Sequence, residues 1–183
     1  MTTTTPPDNM PGSYERHKLP APGKQVVMMP GVTLWQPWAA SVIYGPKNYE
    51  NRTWRPPAAI VGTRIFIQAS KRQPELPDWE EWEEVAELAR SWGQDVPPFR
   101  QRSLDFGAII GTALVTGVLD LRRATSMPDP WVSGPFAWAL ADKRPCVPIP
   151  CKGAQGIWYF DEEQVRAADR QWRRDNSPRV AAN

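Results

Sequence analysis

The sequence predicts an α+β fold, a small β-barrel with peripheral helices, on three observations. Several short stretches are apolar and rich in strand-forming residues. The longest, Phe106–Leu121 (FGAIIGTALVTGVLDL), carries Gly107, Gly111 and Gly117, which mark the bulges or bends that a small barrel needs. Helical periodicity is confined to a few segments between and after the strands. The 183 residues suffice for one domain with tails. Residues 1–28, with TTTT, PP and PAPG, read as a disordered Pro-rich tail; 29–161 form the domain; 162–183 form a C-terminal helix and tail.

The elements follow in order. Val32–Trp35 is a short strand. Pro37 suits the first position of a helix, where its missing N–H costs nothing, and Ala39, Val42 and Ile43 give that helix one apolar face. Gly45-Pro46 ends it, with the glycine in a left-handed cap, and places Lys47 at the helix exit rather than buried within an element. From Asn48 to Trp54 the chain alternates, so that Glu50 and Arg52 share a strand face. Arg64–Ser70 is a strand ending in Lys71-Arg72. A helix runs from about Trp79 to Trp92, with Asp78 as N-cap and Glu81 at the capping-box spacing. Trp79, Trp82, Val85, Ala86, Ala89 and Trp92 form its apolar stripe. Its many glutamates would repel a phosphate backbone, which predicts a helix turned away from any nucleic acid. Phe136–Leu140, Cys146–Ile149 and Ile157–Phe160 are further strands. Asp161 then caps a last helix, docked through Val165, Ala168 and Trp172 and bearing Arg166, Arg170, Arg173 and Arg174 on an adjacent stripe.

Composition excludes much chemistry. A net charge of +2 is too small for a non-specific coater of nucleic acid, so any such contact requires local clustering. The only histidine, His17, lies in the Pro-rich tail, which argues against a histidine-dependent nucleophile in the body. Cys146 and Cys151 cannot build a four-ligand Cys/His zinc site and read as free or structural thiols. There is no GxGxxG and no Walker loop. No metal and no cofactor is expected. No apolar run reaches the ~18 residues of a membrane span and no signal peptide is visible, so a cytoplasmic location, or a nuclear one in a nucleated source, is expected.

What remains is a charged set, Lys47, Glu50 and Arg52, flanked by Trp35, Trp38 and Trp54. Rigid aromatic surface beside fixed charges suits a flat polar ligand such as a nucleobase. The same residues also fit core packing plus an ion pair at the barrel rim. Ser70, Lys71 and Arg72 form a second cluster at a strand end. Lys152 opens a tight turn, Lys152-Gly153-Ala154-Gln155-Gly156, and Ser133-Gly134-Pro135 is a further rim loop.

These residues carry a resemblance. Thr33, Gln36-Pro37-Trp38-Ala39, then Gly45, Lys47, Glu50, Arg52 and Trp54 resemble the signature of the ASCH domain, the activating signal cointegrator homology domain of the PUA-like superfamily. RIFIQASKR, FGAIIGTALVTGVLDL, FAWAL and PCKGAQGIWYF are similar to its later strands and keep their order across about residues 30–160. The resemblance implies a small PUA-like barrel whose cleft holds Lys47, Glu50 and Arg52. It implies a module binding RNA or DNA, on a single-stranded or modified base. One bacterial branch of the family hydrolyses N4-acetylcytidine and another has ribonuclease activity. The amidohydrolase branch carries a threonine three residues after its lysine, where this chain has Glu50. The chain therefore resembles the cointegrator-like branch more closely.

The expected function is a nucleic-acid-binding module with Trp35, Gln36, Trp38, Lys47, Glu50, Arg52, Ser70, Lys71, Arg72 and Lys152 at the site. Lys47 and Arg52 would meet base edge or phosphate, Glu50 would orient them, and Lys71 and Arg72 would hold the backbone. The alternatives are a hydrolase of a modified nucleoside, or a ribonuclease, with Lys47 and Glu50 as its acid–base pair, and a domain that binds a protein partner.

Overall fold

The computed structural model describes residues 27–124 and 126–175. The Pro-rich stretch expected to be disordered, with His17, lies outside the described residues apart from its last two. The elements are β1 (Met28–Leu34), α1 (Trp38–Tyr44), β2 (Tyr49–Arg52), β3 (Arg64–Ala69), α2 (Leu76–Ser91), β4 (Ala108–Asp120), β5 (Phe136–Pro150), β6 (Ile157–Asp161) and α3 (Glu162–Asp175).

The fold is α+β, as expected, and the strands form one six-stranded sheet in the order β2-β5-β4-β3-β1-β6. Only β1 and β3 run parallel. The hydrogen-bonded ladder does not close between β2 and β6; instead Arg52 Nη2 of β2 donates to Thr33 O of β1 at 3.0 Å and ties the two sides by a side chain. The register of β4 against β5 shifts between Ile109 and Gly111, Thr112 and Leu114, and Val115 and Gly117, so irregularities adjoin two of the expected glycines.

Several local readings need correction. The two strands expected at Phe136–Leu140 and Cys146–Ile149 are one strand, β5. Asp142 takes φ 44° within it, and its carboxylate is paired with Arg64 and Arg144, so the chain bends without leaving the sheet. α1 starts one residue after Pro37, and Gly45 is extended (φ −119°, ψ −170°), not left-handed. Glycine is required there for space: a Cβ would lie 2.9 Å from Ser41 O, the carbonyl that also receives Lys47 N at 3.2 Å. Gly45→Ala should therefore destabilise the domain by about 1–3 kcal/mol, read as a lower urea midpoint at unchanged slope.

α2 begins a turn earlier than expected, because Pro77 fits a first turn that has no N–H bond to lose. Glu75 is the N-cap and Asp78 its box partner, accepting from Glu75 N at 2.6 Å. Trp92, placed in the apolar stripe, follows the last turn and is 54% exposed. Asp161 does cap α3, receiving Glu163 N at 2.9 Å. Val165 is buried, while the side chains of Ala168 and Trp172 lie outside what is described. Arg166 and Arg170 of the expected basic stripe pair with Glu162 and Glu163.

The main core packs α1 against the sheet through Val32, Val42, Ile43, Ile67, Val115 and Trp138. A separate cluster holds α2 to the segment around Trp131. Trp82 Nε1 donates to Ser41 Oγ at 2.8 Å and joins α2 to α1. α1, α2, β2 and the 130–133 segment all contribute residues to the lining of one cavity. No described helix is long and apolar enough to cross a membrane.

Candidate functional site

Lys47 follows the exit of α1, as expected, and from there its side chain turns inward and is only 2% exposed. Its Nζ donates to Tyr49 O and to Glu50 Oε2, the latter at 3.3 Å. Strand alternation puts Glu50 and Arg52 on one face, as expected, and Arg52 Nε lies 3.0 Å from Glu50 Oε1. One buried carboxylate is therefore clamped between two cations. Burial pushes Lys47 below its ordinary value of 10.5, with Glu50 acting in the opposite direction.

This chain forms one wall of a cavity of about 340 Å³. Trp38 and Trp131 stand edge to face along another, 6.3 Å apart at 83°. Glu81 and Val85 of α2 line it too, so the acidic helix does not face away from the cleft. Trp131 and Asn51 escaped the sequence reading. Asn51 Nδ2 donates to Trp131 O at 2.9 Å and its Oδ1 accepts from Ser133 N at 3.1 Å, which pins the rim loop to β2. The signal for Trp131 was its place in Pro130-Trp131, just ahead of the Ser133-Gly134-Pro135 rim loop.

A second cavity, of about 680 Å³, adjoins the first along Thr33, Trp35 and Arg52 and adds Ser70, Lys71 and Lys152. Trp35 is 54% exposed. Arg72 stacks its guanidinium 4.3 Å above that ring and holds Asp78 at 2.9 Å, so it supports Trp35 from behind and lines neither cavity. Trp54 packs edge to face on Trp138, with ring centroids 4.8 Å apart.

Gln36, expected at the site, also lines neither cavity. It is 1% exposed; its Nε2 donates to Asp105 O at 2.9 Å and its Oε1 accepts Ala40 N at 3.0 Å. The glutamine supplies the N-terminal cap that Pro37 cannot. Gly153 passes so close to the sheet that a Cβ would lie 2.4 Å from Thr33 Oγ1. Neither Cys146 nor Cys151 is in a disulfide among the described residues. Among the described residues no three His, Cys, Asp or Glu side chains are grouped to hold a metal ion. The site thus offers an aromatic slot with an ammonium and a guanidinium beside a carboxylate, a set able to donate to and accept from one polar edge.

The family model of the ASCH domain matches residues 32–173. Among solved structures, the chain is similar to ASCH from Zymomonas mobilis, at 16% identity and a TM-score of 0.43, over 76% of this chain and 92% of that one. It is also similar to a serine-to-alanine mutant of that protein, at 17% identity and a TM-score of 0.44, over 76% and 93% of the two chains. No curated protein matches the chain.

Proposed function

The chain belongs to the ASCH domain family, and from that membership we propose that its cleft binds a base of single-stranded or flipped nucleic acid, including a modified one. The observation that supports this most is the Lys47–Glu50–Arg52 chain, with Lys47 and Glu50 buried, on one wall of a cavity whose other wall carries the Trp38–Trp131 pair. Taking such charges out of water costs several kcal/mol per ion, by rough estimate, unless they are well paired. A rim ion pair needs no slot beside it, whereas a polar base edge uses donors next to an acceptor, and ring stacking adds about 1–3 kcal/mol. Lys71 and Lys152 are positioned to meet the backbone. Gln36 and Arg72 act through the elements they hold.

Lys47→Ala and Arg52→Ala should each weaken binding of short single-stranded RNA or DNA by about tenfold or more, from the loss of a charged hydrogen bond. In each variant Glu50 keeps one cation, so the circular dichroism spectrum should be unchanged. Affinity of the parent should fall with salt at about −0.7 per phosphate contact. Parental affinity in both variants would exclude this cleft.

One observation favours a second reading, hydrolysis of a modified nucleoside. Burial lowers the proton affinity of Lys47, which suits a lysine to proton transfer. Under that reading, N-acylated nucleosides are converted by the parent and not by Lys47→Met, as mass spectrometry of the products would show.

A further inference from the structure

We propose that the second cavity holds the phosphate that joins the bound nucleotide to its neighbour, so that the site is built for a strand and not for a free nucleoside. The inference rests on the base-binding reading of the first cavity and adds the class of ligand. Three observations carry it.

The first is adjacency. The cavities share Thr33, Trp35 and Arg52, so a ligand seated against the Trp38–Trp131 wall has the larger space immediately beyond Arg52.

The second is the segregation of charge. The smaller cavity is lined by two carboxylates, Glu50 and Glu81, besides its two cations. A phosphate there would face both. The larger is lined by Arg52, Lys71 and Lys152, and among the described residues no aspartate or glutamate lines it. A dianionic or monoanionic group is therefore favoured in the second cavity and disfavoured in the first, whereas a neutral base tolerates the mixed lining.

The third is local geometry. Ser70 Oγ accepts from Arg72 N at 3.1 Å, which leaves the hydroxyl proton to donate toward the cavity it lines. Across the cavity the 152–156 turn lies tight against the sheet at Gly153, and Gly156 takes a left-handed φ of 74°. The turn thus lines the cavity, with Lys152 exposed at its start. The base and phosphate positions are thus held by different elements: α1, β2 and α2 for the first, the end of β3 and the β5–β6 turn for the second.

The test compares common ribonucleosides and deoxyribonucleosides with the dinucleoside monophosphates built from them, titrated against the intact protein at two salt concentrations. The expected result is at least tenfold tighter binding of the dinucleoside monophosphate than of its parent nucleosides, with a salt dependence that the nucleosides lack. In the double variant Lys71→Ala, Lys152→Ala the ratio should fall close to one; in Lys71→Arg, Lys152→Arg it should persist. Inorganic phosphate should compete with the dinucleoside monophosphate and not with the nucleoside. Equal affinities, or a ratio that survives in the alanine double variant, would overturn the inference while leaving the base-binding reading intact. Failure of every nucleoside and dinucleoside monophosphate to bind would overturn both.

Discussion

Glu50→Ala lowers the stability of the domain by about 3 kcal/mol or more, the scale on which a buried ion pair is broken from one side. The carboxylate is the sole anion of the Lys47–Glu50–Arg52 chain, and its removal leaves two cations facing each other. Lys47 is 2% exposed, so solvent screens little of that repulsion. For a domain of this size the midpoint of thermal unfolding should drop by roughly 6–12 °C. Lys47→Met is the control. It fills similar volume and leaves Glu50 paired with Arg52, so it should cost clearly less. The same pair of proteins tests the titration of Lys47. With its folded value held below 10.5, the unfolded chain binds more protons than the folded one between that lowered value and 10.5. Stability should rise with pH across this window and rise less steeply in Lys47→Met. Lys143, half-buried and also lowered, chiefly by burial, keeps part of the slope in the variant. A parent whose stability falls through that window relative to the variant would contradict the assignment.

Trp82→Ala should be the most damaging single truncation near the site, at about 3–5 kcal/mol. The indole is 2% exposed, packs with Trp79 and Phe99, and donates to Ser41 Oγ at 2.8 Å. Its loss removes the joint between α2 and α1. Because α2 brings Glu81 and Val85 to the cleft, binding should weaken as well as stability. Trp82→Phe separates the two contributions: it keeps most of the packing and loses one hydrogen bond, worth about 1 kcal/mol. Urea titrations of the three proteins check the order.

Much of this arrangement is legible in the sequence, for physical reasons that differ by element. Strands such as Arg64–Ala69, buried along almost their whole length, announce themselves by a short run of β-branched and aromatic residues. The pairing of Glu50 with Arg52 follows from strand alternation. The depth of Lys47 does not, because the local signal places only its backbone, at a helix exit, and burial is decided by α1 and β5 packing around it. The fusion of two expected strands into β5 depends on Arg64 holding Asp142 from 78 residues away. Gln36 misleads in the opposite sense: it adjoins two site tryptophans but spends both ends of its amide on α1 and Asp105. Asn51 and Trp131 stand 80 residues apart, beyond any local pattern. The charged half of the cleft is thus written in one segment, and its aromatic wall is completed only by the fold.

The most direct test of the account is to irradiate the protein with short single-stranded RNA and DNA and to map the covalent adducts by mass spectrometry of the digested chain. Adducts on the peptides that carry Trp35, Trp38 and Trp131, lost in Lys47→Ala, are the predicted result. Adducts confined to the arginines of α3, unchanged in Lys47→Ala, would contradict it.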